Sequence, residues 1–135
     1  MRAHIALAVA LAGVALVTPA AAQAPPARPE LLLREVVTGL PRGERQEIQV
    51  LTATIAPGQS TVFHTHRHPV TVYMLAGTFT LDLEGQGTVT VGPGQSLVEP
   101  ANVRMTGHNR SATEAARIVI FYVSEPGAPF LDPAH

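Results

Sequence analysis

Apolar and polar positions alternate with a period of two through most of the chain beyond Glu30, the pattern of β-strands with one face turned inward. The clearest case is Thr78–Glu84: Phe79, Leu81 and Leu83 face one way, Thr80, Asp82 and Glu84 the other. In Gln46–Ala56 the alternation holds but both faces are fairly apolar, with Ile48 and Val50 on one side and Leu51, Ala53 and Ile55 on the other. That suits a strand inside a two-sheet sandwich or one near a dimer contact. Further strands are expected over Leu31–Val37, with weak alternation, and over Val70–Leu75, Thr88–Val91, Gln95–Glu99, Val103–Asn109 and Ala116–Ser124. Gly85-Gln86-Gly87, Gly92-Pro93-Gly94 and Pro100-Ala101-Asn102 punctuate them as turns. No stretch after the first segment has helical periodicity. Strands recurring roughly every ten residues predict an all-β barrel or sandwich.

Composition narrows the picture. At 135 residues, 46% hydrophobic and 14% charged, the chain makes one domain with a core. A net charge of -1 leaves no basic patch for nucleic acid. Cysteine is absent, which excludes disulfides and thiolate ligands. Every one of the nine basic residues is Arg, and this has no functional account. The first residues read as an export signal: Met1-Arg2-Ala3-His4 is positive, Ile5–Val17 is apolar, and Ala20-Ala21-Ala22 is a small-residue cleavage pattern. The apolar run is shorter than the ~20 residues a membrane span needs. The expected order is signal peptide 1–22, Pro-rich linker 23–30, barrel 31–124 and an irregular C-terminal tail 125–135. The mature protein is expected to be periplasmic or secreted, without a membrane span.

The candidate chemistry lies between Gly58 and Gly77, where His64, His66 and His68 occupy alternate positions. On one strand these imidazoles share a face, and two of them make a half-site for a transition metal that needs further ligands. Pro69 marks where such a strand would end. No serine–histidine–carboxylate, phosphate-loop or zinc-peptidase pattern is present in the sequence.

With these residues placed, the chain resembles a small single-domain cupin, a double-stranded β-helix or jelly-roll barrel. The first cupin motif, G-x5-H-x-H-x3,4-E-x6-G, is matched by Gly58, His64, His66 and Gly77, with Val70 where the glutamate belongs. The second, G-x5-P-x-G-x2-H-x3-N, is matched by Gly94, Pro100 and Asn109. Asn102 replaces its glycine and Met105 its histidine; asparagine tolerates the left-handed backbone that glycine supplies.

The resemblance implies a metal on three histidines and a glutamate, of which His64 and His66 remain. His68 is one candidate to complete the set. His108 is another, although its odd offset from Met105 reaches the site only through a bulge. Met105 itself would make a soft set suited to Cu(I). Fe, Mn, Ni, Zn and Cu all stay open. Val70 and Met74 are expected at an apolar barrel mouth, and Glu99 is either a mouth residue or an exposed strand-end carboxylate. Tyr73 and Tyr122 are expected to pack with their hydroxyls at the surface or in an interface. The implied function is metal binding with dioxygenase-like chemistry on a small molecule. The alternatives are a non-catalytic binding module for a small molecule or metal, and a structural dimer with no ligand. The family also implies a homodimer.

Overall fold

The computed structural model describes residues 24–135. The expected signal segment, 1–22, lies outside the described residues. Among these residues there are nine strands and no helix: β1 Glu47–Ile55, β2 His64–Thr65, β3 Val70–Ala76, β4 Phe79–Leu83, β5 Gly87–Val91, β6 Ser96–Glu99, β7 Met105–His108, β8 Ala116–Ser124 and β9 Asp132–Pro133. They form two sheets, β1-β8-β3-β6 and β5-β4-β7-β2-β9, in which all pairings are antiparallel. The longest ladder joins β1 to β8, from Glu47 opposite Ser124 to Ile55 opposite Ala116.

The alternation read from the sequence becomes the two faces of these sheets. Val70, Val72 and Met74 from β3, with Ile118, Ile120 and Tyr122 from β8, face Phe79, Leu81 and Met105 of the other sheet as one buried cluster. Burying a large apolar side chain is worth roughly 1.5–3 kcal/mol, so this interlayer cluster outweighs any single polar contact. The motif residues serve the turns. Gly77 has φ 71°, and a Cβ there would stand 2.4 Å from the Ala115 carbonyl oxygen, so only glycine fits. Asn102, at φ 60°, takes the left-handed conformation expected of it as a glycine substitute. The motif asparagine Asn109 is buried, and its amide donates to the Ile55 and Glu114 carbonyls.

Three segments differ from the sequence reading. Leu31–Val37 forms no strand: it joins no ladder, and Val36 is 97% exposed. Its weak alternation leaves neither face apolar enough to hold it on a sheet. The histidine strand shortens to His64–Thr65, because a bend at Arg67–His68 and the missing N–H of Pro69 end the ladder. The tail is not wholly irregular, since β9 pairs with β2, setting Pro133 opposite His64 and Asp132 opposite Thr65.

His68 fastens the segments before β1 and after β8 to the barrel. Its Nδ1 lies 2.6 Å from the Gly39 carbonyl oxygen and its Nε2 lies 2.6 Å from Glu125 Oε2. Both partners accept, so the imidazolium satisfies both. Burial pulls the His68 pKa down, but Gly39 and Glu125 outweigh burial and the opposing Arg67, and the net value stands above the usual 6.5. Glu125 is held below its usual 4.5, first by the His68 hydrogen bond. A raised histidine stabilises below its unfolded pKa and loses that as pH rises through the folded value. A depressed carboxylate stabilises above its unfolded pKa and loses that as pH falls. The clasp is therefore tightest between pH 4.5 and 6.5. Limited proteolysis of the C-terminal tail should become faster between about pH 5.5 and 8.5. His68→Gln should be cut readily across that range. A wild-type rate that does not change with pH would contradict the clasp.

Candidate metal centre

Two histidines enter the interior from β2 and the residue just beyond it. His64 is 4% and His66 1% exposed. Each is oriented through its Nδ1. In His64 this atom lies 2.7 Å from the Val62 carbonyl oxygen, and in His66 it lies 2.6 Å from the Phe130 carbonyl oxygen. A carbonyl oxygen only accepts, so each Nδ1 carries a proton and each Nε2 is the ring atom turned to the interior, free to ligate when the ring is neutral. The two Nε2 atoms are 3.1 Å apart. Burial, reinforced by the neighbouring His66, holds the His64 pKa below its usual value against the opposing Val62 carbonyl and Glu99 carboxylate. Neutral His64 is the ligand form of imidazole.

The third donor is Glu99. It is 5% exposed, and its Oε2 lies 2.9 Å from His66 Nε2. The three donor atoms lie within 4.8 Å of one another, and no other such group of His, Cys, Asp or Glu occurs among the described residues. Ligands at right angles on an ion about 2.1 Å away stand about 3.0 Å apart, the spacing seen for both short pairs. The donor set therefore fits a transition-metal ion.

The position of Glu99 follows from the sheet. Val70, which stands where the first motif calls for glutamate, pairs directly with Glu99 across the β3–β6 ladder. Opposed residues point to the same face with Cβ atoms roughly 4.5–5.5 Å apart. The missing carboxylate is thus supplied from the adjacent strand. Glu99 is an interior residue, not an exposed strand-end carboxylate.

The other candidates lie elsewhere. His68 is turned to Gly39 and Glu125. His108 sits on the outer side of β7: its pairing with β4 carries no bulge, and it bridges Ser60 Oγ at 2.7 Å and Asp82 Oδ2 at 3.0 Å. This chain of serine, histidine and aspartate, formed by residues far apart in sequence, is on open surface. Asp82 is shared with Arg110 and Thr88, and Ser60 is exposed. Met105 is buried opposite His64 as part of the apolar core. Val70 and Met74 are core residues as well. Tyr122 is fully buried rather than at a surface, beside the His66, His68 and Phe130 rings, and its hydroxyl has no hydrogen-bond partner. Burial raises its pKa, which keeps it neutral.

A cavity of about 120 Å³ opens beside the donors. The tail forms part of its wall through Phe130 and Leu131, and the Phe130 ring lies 4.8 Å from that of His66. Larger grooves of about 360 and 170 Å³ lie along the Leu33–Thr38 segment and contain none of the donors.

A family model described as a cupin domain matches residues 51–122, more than half of the chain and both motif regions. The chain belongs to the cupin family. Solved structures share the cupin fold. The polyketide cyclase RemF from Streptomyces resistomycificus is 24% identical, with a TM-score of 0.54 over 65% of this chain and 61% of that one. A double-stranded β-helix protein from Klebsiella pneumoniae is 18% identical, with a TM-score of 0.55 over 64% and 70%. The DMSP lyase DddQ from Ruegeria pomeroyi is 16% identical, with a TM-score of 0.55 over 64% and 43%. The chain thus spans about three fifths of the cyclase and under half of the lyase. No curated protein sequence matches it.

The ladder pairing yields a direct test. Glu99→Val should weaken metal binding more than about 100-fold, beyond what loss of an outer-shell partner brings. Adding Val70→Glu, which restores the family's carboxylate, should recover at least roughly tenfold of that loss. Unchanged affinity in Glu99→Val, read by competition with a chromogenic chelator, would remove Glu99 from the site.

Proposed function

We propose that this cupin is an exported metalloprotein that uses a transition-metal ion on His64, His66 and Glu99 to act on a small molecule. The observation that carries this reading is the meeting of two buried imidazole Nε2 atoms, 3.1 Å apart, with a buried carboxylate oxygen 2.9 Å from one of them. Lone pairs at these separations repel unless a cation joins them. Two imidazoles and a carboxylate, with positions left open, form the donor set of non-haem iron oxygenases. When bound, such an ion supplies a Lewis acid and an open coordination position. The hard carboxylate favours Fe, Mn or Zn over Cu(I) and makes a thioether ligand from Met105 unnecessary.

The chain's own residues do the rest. The Val62 and Phe130 carbonyls fix both rings with Nε2 inward. Phe130 and Leu131 form one side of the cavity. Its only titratable lining residues are the three donors themselves, so no separate general base stands in it. This favours oxidative or Lewis-acid chemistry over proton abstraction. The fold relatives include a cyclase and a lyase, so the fold alone selects no reaction, and the site must.

A second reading follows from the 2.9 Å contact of His66 with Glu99: a proton in place of the metal, giving an imidazolium–carboxylate pair in a non-catalytic binding module. Elemental analysis of tag-free protein, purified without chelator, separates the two. Close to one ion per chain is expected, lost in His64→Ala/His66→Ala, and iron would be followed by oxygen-uptake assays. A protein that takes up none of Fe, Mn, Ni, Zn or Cu supports the proton reading.

A homodimer is supported by the outer face of the β1-β8-β3-β6 sheet. An antiparallel sheet facing water is normally polar on that side. Here Ile48 is 74% and Val50 62% exposed, Phe121 stands opposite Val50, Leu75 is exposed farther along the same face, and Arg117 is the only charged residue among the outward strand positions. Light scattering should give twice the chain mass. Val50→Arg/Phe121→Glu should yield a folded monomer, and a monomeric wild type would exclude the dimer.

A further inference from the structure

The cavity beside the donors also restricts what can bind there. We propose, resting on the metal reading above, that its ligand is a compact molecule with an apolar body and one oxygen-donor head carrying at most a single negative charge.

The wall sets the body. Ala53, Ile55, Phe79, Ile118, Ile120 and Phe130 enclose the space beyond the metal ligands with carbon. The Phe79 ring packs directly on the backbone of Gly107, where a Cβ would come within 2.4 Å of it. The one hydroxyl in the lining, Thr61 Oγ1, is already committed: it donates to the Val62 carbonyl and accepts the Gly107 N–H. A ligand hydroxyl buried against this wall would lose its hydrogen bonds to water and gain none. Sugars and polyols are disfavoured on that ground.

Size follows from the volume of about 120 Å³. An apolar cavity of roughly 150 Å³ accommodates benzene, so the body here is a small ring or a branched chain of a few carbons.

Charge sets the head. No arginine lines the cavity, and Arg67, the nearest in sequence, is turned outward to Asp132. The only positive charge available is the ion's. A divalent ion on two neutral imidazoles and one carboxylate retains a single net positive charge. It can neutralise a carboxylate, phenolate or enolate, but not a phosphate dianion. The head must therefore sit at the donors with the body toward the β1 and β8 side chains.

Isothermal titration on the zinc-loaded protein tests this with two monocarboxylates of similar size, isobutyrate and 3-hydroxypropanoate. They share a head and differ in one methyl-for-hydroxyl exchange and branching. Isobutyrate should bind at least roughly tenfold more tightly. Ala53→Leu and Ala53→Phe should fill the cavity progressively, weakening isobutyrate stepwise while zinc stoichiometry stays at the wild-type value. The graded pair keeps the test intact should the larger side chain disturb folding. Equal or tighter binding of 3-hydroxypropanoate, or indifference to both fillings, would overturn the proposed ligand class and leave the metal site standing. Failure of the wild type to take up zinc would overturn the metal reading, and this proposal with it.

Discussion

Two buried imidazole nitrogens and a buried carboxylate oxygen meet in the interior of the barrel. Much of the surrounding architecture serves to hold them there. The β2–β7 and β2–β9 pairings place His64, the ladder from β3 to β6 places Glu99, and the returning tail locks the His66 ring through the Phe130 carbonyl. Bringing a carboxylate and two imidazoles out of water is unfavourable unless a cation or proton compensates. The interlayer apolar cluster provides the stability that allows this arrangement to persist.

The tail after β8 is a structural part of the site. His68, two residues after a donor, ties the N-terminal segment at Gly39 and the tail at Glu125. Arg67 fixes Asp132 on the strand that follows Phe130. The Phe130–Leu131 part of the cavity wall thus belongs to the tail, while the rest of the wall, His64 and Glu99 belong to the strands. Such a division lets that part of the wall open at lower cost than the rest.

Much of the fold was legible because its signals are local. Period-two alternation marks strands, and the spacing of Gly58, Gly77, Gly94 and Asn109 marks their turns and bracing. Asn102 in the left-handed region bears out the reading of asparagine as a stand-in for the motif glycine. The site was half legible. His64 and His66 declare themselves by spacing, but Glu99 is related to Val70 only through the β3–β6 ladder, and one-dimensional reading has no register. The signal was there in part: an acidic residue just before Pro100, at the end of a strand that must pair with something. Alternation alone puts His68 on the same face as His64 and His66, and the bend before Pro69 breaks it. The tail was read as irregular because two residues pairing with an equally short strand leave no pattern in the sequence.

The account stands most directly on where a metal sits. Crystals of the protein soaked in zinc salt, with anomalous data collected on either side of the zinc edge, should show one dominant interior peak. It should lie about 2.0–2.2 Å from His64 Nε2, His66 Nε2 and Glu99 Oε2. A peak between His68 and Glu125, one between His108 and Asp82, or an interior without a peak would contradict the assignment of these three donors.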